Sequence, residues 1–181
     1  MKQSMDDEKR IFSELVDDYQ KRVFQVAMGM LGNKDVALDI TQDVFVKAFR
    51  AYNQFQFRAS PETWLIKITI NKVRDYFRKE KIKRLLFLHP GKISDYQIDT
   101  MADNNQSSQD ILQEKQLQAH VRSFQDGLKG REREVFSLRF GNNYTINEIS
   151  ELIGISQSSV KTYLYRALGK ARRYLADWRA V

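Results

Sequence analysis

The sequence has no cysteine, two histidines, two prolines and eight glycines in 181 residues. Without cysteine there is no disulfide framework, no thiolate nucleophile and no Cys-based zinc or iron–sulfur site. His89 and His120 lie far apart, with no ligand spacing around them. The longest apolar runs are a few residues, well short of the ~18 that a membrane span needs. Met1 to Arg10 is charged and polar, so no signal peptide is visible and a cytoplasmic protein is expected. Scarce proline and glycine, with no convincing alternation of apolar and polar residues, point to an all-α fold.

Basic residues are in excess. There are 30 Lys+Arg against 23 Asp+Glu, a formal charge of +7. The excess favours a polyanionic partner, although net charge alone is a weak signal. It is unevenly spread. Met1 to Lys92 carries 18 basic and 12 acidic residues, Ile93 to Glu114 five acidic and none basic, and Lys115 to Val181 12 basic and six acidic. Two basic blocks thus flank a polar, acidic stretch, Asp95 to Asp110, opened by Pro90-Gly91. That stretch has too little apolar surface to offset its ordering entropy. It reads as a flexible linker between two small helical domains, the alternative being a long loop within one domain.

Both flanks are periodic. Phe12, Leu15, Val16, Tyr19, Val23, Val26, Ala27 and Met30 follow helical spacing. Gly32 ends that helix and Asn33 caps the next, whose inner side carries Val36, Ile40, Val44, Ala48 and Tyr52. Ser60-Pro61 opens a third helix, running through Trp64, Leu65, Ile68, Val73 and Phe77 to about Lys83. In the C-terminal block, Thr145 to Glu148 is a capping box ahead of an apolar stripe, Ile146, Ile149, Leu152 and Ile153. Gly154 supplies a left-handed turn and Ser156 a second cap. Val160, Leu164, Ala167, Leu168, Ala171 and Leu175 then form one buried face. Helix, glycine turn and second helix make a helix-turn-helix, whose second helix enters the DNA major groove by its N-terminal part. Off that buried face stand Gln157, Ser158, Lys161, Thr162, Tyr165 and Arg166, donors and acceptors suited to base edges and phosphates. Arg172 and Arg173 lie further along, where phosphate contact is expected.

The N-terminal block carries two faces of opposite sign. Asp35, Asp39 and Asp43 recur every four residues beside Gln42, a spacing that costs a few tenths of a kcal/mol per like-charged pair. Lys47 partly offsets Asp43. Such a stripe is either a solvated face or a dock for a basic protein surface. The third helix presents Lys67, Asn71, Arg74, Asp75 and Arg78 along one line, near Tyr52, Phe55, Phe57, Trp64, Tyr76 and Phe77. At least half of these aromatics are expected in the core. The segment Tyr52 to Ser60 reads as a loop, and basic residues with loop aromatics suit opened or single-stranded DNA.

At these residues the sequence resembles the extracytoplasmic-function sigma factors of bacterial RNA polymerase. Asp39-Ile-Thr-Gln42-Asp43-Val-Phe45-Val-Lys-Ala-Phe49-Arg50 is similar to the family's polymerase-binding helix. Trp64 through Arg78 is similar to its −10 recognition and strand-separation helix. Arg133 through Phe140, with the helix-turn-helix, resembles its −35 domain.

The resemblance implies a region 2 domain at 1–90, a linker at 91–112 and a region 4 domain at 113–181. It implies that Asp39, Gln42, Asp43, Phe45 and Arg50 bind core polymerase. It gives −10 contacts to Phe57, Arg58, Lys67, Asn71, Asp75 and Arg78, and −35 contacts to Ser158, Lys161, Thr162, Tyr165 and Arg166. Two departures are Lys129-Gly130, where Leu-Pro is common, and Ala59, where the family often has glycine; the second implies a different −10 base preference. The implied partners are core RNA polymerase, promoter DNA and an anti-sigma factor, membrane-anchored in many relatives. No metal, cofactor, small-molecule substrate or catalysis is implied. The rival from the residues alone is a helix-turn-helix repressor or activator that works without polymerase. A metal-dependent nucleic-acid enzyme would have only Asp35, Asp39 and Asp43 for its ion, an incomplete shell on one helix.

Overall fold

The computed structural model describes residues 2–55, 59–86, 119–121, 123–125 and 127–179, and among these there is no strand. Helix α1 spans Lys2–Leu31, α2 Lys34–Ala51 and α3 Pro61–Leu86. After 119–125, where the described residues are helical, come α4 (Arg131–Phe136), α5 (Ile146–Ile153) and α6 (Gln157–Arg179).

The first three helices pack as a bundle. Gly32 turns the chain at φ 69°, and the Asn33 side chain accepts from the Val36 N–H at 2.9 Å. A connection this short makes α1 and α2 antiparallel neighbours. Ser60 caps α3 through its hydroxyl, which accepts from the Thr63 N–H at 3.1 Å. Val23, Val26, Ala27, Ala37, Val44, Ala48, Leu65 and Val73 are wholly buried where the helices meet. Each large aliphatic among them contributes about 1.5–3 kcal/mol by leaving water, and the alanines let the backbones approach. Thr69, buried in α3, returns its hydroxyl to the Leu65 carbonyl at 2.8 Å, so no polar atom is stranded there.

The C-terminal unit follows its predicted caps. The Thr145 side chain accepts from the Glu148 N–H, and the Glu148 carboxylate accepts from the Thr145 N–H at 2.7 Å. Gly154 sits at φ 69°, and Ser156 accepts from the Ser159 N–H at 3.2 Å. Gly130, the departure before α4, stands at φ 54° and makes the turn into that helix. Between α4 and α5 the chain loosens into a π-helical turn, Ser137–Gly141. Val160, Leu164 and Ala167 are buried as expected. Leu175 is not: it is 47% exposed, because α6 runs on beyond its supports. Thr145→Ala removes the side-chain arm of the box, leaves the backbone N–H on the Glu148 carboxylate, and is expected to cost about 1 kcal/mol, seen as a lower Tm in circular dichroism. The Thr145 N–H holds the Glu148 carboxyl below the usual carboxylate range, with the Thr145 side chain adding to it. A depressed folded pKa stabilises above the unfolded value and is lost as pH falls through the folded one. The variant keeps the N–H and loses only the side-chain part of this effect, so the gap between wild type and variant narrows slightly in acid.

The two units touch. Arg22 of α1 donates to Glu62 at 3.2 Å and to the Asn142 carbonyl at 3.1 Å, and lies over the Tyr144 ring. Burial pushes the Tyr144 hydroxyl up to about 12. Arg74 of α3 makes a two-pronged ion pair with Glu134 of α4, at 2.8 and 2.9 Å, and Arg133 lies over Phe77. The charge pattern of the sequence predicts two domains tied by a linker. The docking of one on the other is an addition to it, and the linker itself lies outside the described residues.

Candidate nucleic-acid and partner interfaces

On α2, Asp39, Gln42, Asp43 and Arg50 are exposed, as a docking face requires. Asp43 is not offset by Lys47. Its carboxylate accepts from Lys72 of α3 at 2.8 Å, which also clamps α2 to α3. Phe45 is a correction. It is 8% exposed, packed edge-on against Phe12, so its place is the core. The exposed apolar side chains are its neighbours Val46 (51%) and Phe49 (50%). With Phe12, Phe45 and Arg50 they line an open, apolar cavity of about 410 Å³. An exposed apolar patch rimmed by charge marks a protein interface. Val46 and Phe49 stand three and four residues from Asp43 and Phe45, a spacing that could have flagged them.

On α3, Asn71 and Arg78 are exposed, and Lys67 and Asp75 half-buried. Arg78 donates to Asp75 at 2.8 Å, and Arg74 donates to the Asn71 side-chain oxygen at 3.2 Å. The row Lys67, Asn71, Asp75, Arg78 is thus an ordered line of donors and acceptors. Phe57 and Arg58 lie outside the described residues. Beside them Phe55 stacks on Trp64 at 4.4 Å. Of the aromatics named from the sequence, Tyr52, Trp64, Tyr76 and Phe77 pack against the core and, like Phe55, are part-buried rather than fully inside.

The helix-turn-helix presents its predicted readers. Ser158, Lys161, Thr162, Tyr165 and Arg166 are all exposed on the first turns of α6, Tyr165 at 73%. Gln157 is tied to Asn147 at 2.8 Å, which fixes α6 against α5. Arg166 lies over Tyr163, 5.9 Å from the ring centre. Arg172 and Arg173 extend the basic face. Among the described residues no three His, Asp or Glu side chains cluster as a metal site. Nor is any helix there long and apolar enough to cross a membrane.

These three faces can now be set beside known proteins. Residues 15–82 match the family "Sigma-70 region 2", and residues 126–170 match "Sigma-70, region 4". The ECF RNA polymerase sigma factor SigX of Bacillus subtilis (strain 168) is 26% identical over 91% of this chain and 83% of its own. The ECF RNA polymerase sigma factor SigW of the same organism is 25% identical over 98% and 95%. The fold is shared with the sigma factor RpoE, solved in complex with the anti-sigma factor NepR from Bartonella quintana. That likeness has a TM-score of 0.67 and 15% identity over 92% of this chain and 98% of the other. With region 2 and region 4 in order, and matches to such relatives over nearly its full length, the chain belongs to the extracytoplasmic-function RNA polymerase sigma factors.

Proposed function

We propose that this sigma factor joins core RNA polymerase and directs initiation by reading two promoter elements. Its region 2 domain (1–90) binds core and takes the −10 element. Its region 4 domain (113–181) takes the −35 element, and residues 91–112 tether them. The observation that carries this reading is the pair of exposed polar faces, Lys67–Arg78 on α3 and Ser158–Arg166 on α6, held on two family domains. Two weak DNA contacts on one scaffold act together, with the linker setting the effective concentration.

Each face has a physical role. Exposed Asp39 and Gln42, with the apolar cavity beside Phe49, meet a basic protein surface on core polymerase. Lys67 and Arg78 attract the DNA backbone, while Asn71, with Phe57 and Arg58, holds an unstacked base. Capture of that base offsets the few kcal/mol of lost stacking and pairing. Lys161, Thr162, Tyr165 and Arg166 read the −35 major groove. On this reading the protein works by binding rather than catalysis, in the cytoplasm with the polymerase. RpoE was solved with an anti-sigma factor, and we assign this chain a partner of the same kind.

Transcription in vitro tests the proposal directly. Core polymerase and fragmented genomic DNA are incubated with and without the protein, and RNA 5′ ends are read. New starts sharing spaced −35 and −10 elements are the expected result, and their absence with folded protein overturns it. On those promoters Arg166→Ala is expected to reduce initiation by about 5- to 100-fold, the loss of one good base contact. Unchanged output would remove Arg166 from the −35 readers.

A further inference from the structure

The tip of α6 carries an amide that the helix-turn-helix aims before any DNA arrives. Gln157 opens α6 and is exposed. With Lys161 and Tyr165 it stands at i, i+4 and i+8, so it extends their line to the start of the helix. That is the part of a recognition helix whose side chains meet base edges. From Gln157 to Arg166 it is the only side-chain amide. The hydroxyls around it are engaged within the helix. Thr162 donates to the Ser158 carbonyl at 3.0 Å, and the Ser156 hydroxyl lies 2.9 Å from those of both Ser158 and Ser159. Lys161 and Arg166 offer only donors. Gln157 holds a donor and an acceptor side by side in one plane.

Charge imposes the orientation of that plane. Asn147 Nδ2 donates to the Glu151 carboxylate at 2.9 Å, and Gln157 Nε2 donates to Asn147 Oδ1 at 2.8 Å. An ionised carboxylate only accepts. Asn147 must therefore turn its NH2 to Glu151 and its oxygen to α6, and Gln157 meets that oxygen with its own NH2. The row of donors has one direction, set by the acid at its end. All three side chains are exposed, and Asn147 and Glu151 lie one turn apart on α5. Among the described residues the Gln157 oxygen and its second N–H take no partner. An acceptor beside a donor matches N6 and N7 of adenine in the major groove. An amide already held in place loses less entropy on binding than a free one.

We infer that Gln157 reads an adenine at one end of the −35 element, and that Asn147 and Glu151 are positioning residues that hold its amide in the reading orientation. This rests on the reading of α6 as the −35 face. Three variants separate the parts. Gln157→Ala removes the reader, and alanine suits a helix, so the fold is kept. Gln157→Glu leaves a group that only accepts, the partner of cytosine N4 rather than of adenine. Glu151→Gln lets the row run either way, because its new amide can donate to the Asn147 oxygen and turn the Asn147 NH2 onto Gln157.

A promoter found by transcription in vitro is rebuilt as a library with its −35 element randomised. Core polymerase carrying the full-length wild type or a variant transcribes it, and barcoded RNA counts give the base preference at each position. Wild type is expected to favour an A·T pair at one terminal position by about 5- to 100-fold. Gln157→Ala erases that preference and keeps the others. Gln157→Glu moves it to a C·G pair at the same position. Glu151→Gln weakens it severalfold there and nowhere else. Gln157→Ala with the wild-type profile overturns the assignment, and so does an equal loss at every position, which marks a structural role. Loss of a preference for a base other than adenine overturns the orientation. Glu151→Gln with the wild-type profile overturns the positioning role and leaves Gln157 a reader. If wild type initiates with no preference at any −35 position, the reading of α6 itself fails, and Gln157 with it.

Discussion

Asn71→Ala is expected to leave assembly with core polymerase intact and to cut open-complex formation by about 10- to 100-fold, the worth of one side chain that holds an unstacked base. Asn71 is exposed on the outer face of α3, away from the buried Leu65, Ile66, Ile70 and Val73. Its removal therefore costs little stability, and alanine is the better helix former. Its carbonyl oxygen is engaged by Arg74 at 3.2 Å, which orients the amide before DNA arrives. A pre-oriented amide binds with less entropy loss than a free one. Permanganate reactivity of promoter thymines reads opening, and titration with labelled core reads assembly. On a template with a pre-opened bubble the unpairing cost is already met, so the deficit should shrink. A deficit equal on both templates, or none on either, would remove Asn71 from strand capture.

Local chemistry was legible where it repeats or caps. The Asn33, Ser60 and Thr145 caps, the Gly32 and Gly154 turns and the apolar stripes all form as their residues dictate. Each of these signals lies within a few residues of the structure it makes. Side chains at the margin of a stripe were less legible. Phe45 and Phe49 flank the same helical face, and periodicity does not say which is inside. Phe12 meets both rings edge-on, Phe49 at 5.1 Å and Phe45 at 6.5 Å, yet Phe45 is 8% exposed and Phe49 50%. Leu175 fits the α6 period but outruns what covers it. Long-range charge was not legible at all. The Lys72–Asp43 pair spans 29 positions, Arg74–Glu134 spans 60 and Arg22–Asn142 spans 120. No local pattern carries such pairs. The candidate DNA faces on α3 and α6 could be read because exposure follows from the same periodicity that buries the opposite side.

Phe49 carries the second large effect. Phe49→Ala is expected to weaken core-polymerase binding by about 30-fold or more, the scale of an interface hot spot. The ring is half exposed, 5.1 Å from Phe12, on the wall of an apolar cavity about 410 Å³ in volume. Arg50 lines the same cavity, and Asp39 and Gln42 are exposed further along α2. An aromatic anchor inside a charged rim is where binding energy concentrates, because the rim excludes water while the ring fills a partner's pocket. Phe45→Ala provides the contrast. Phe45 is buried, so its truncation is expected to cost about 3–5 kcal/mol of folding stability, as for a phenylalanine in a packed core. Any loss of polymerase binding there would follow the loss of fold. Asp39→Ala should act differently again, slowing association and weakening its salt dependence, because a rim charge steers more than it holds. Melting temperature and core titration, measured on the three variants together, separate anchor, core and rim. If Phe49→Ala binds core as wild type does, the cavity is not the polymerase contact, and the acidic stripe alone must carry the docking.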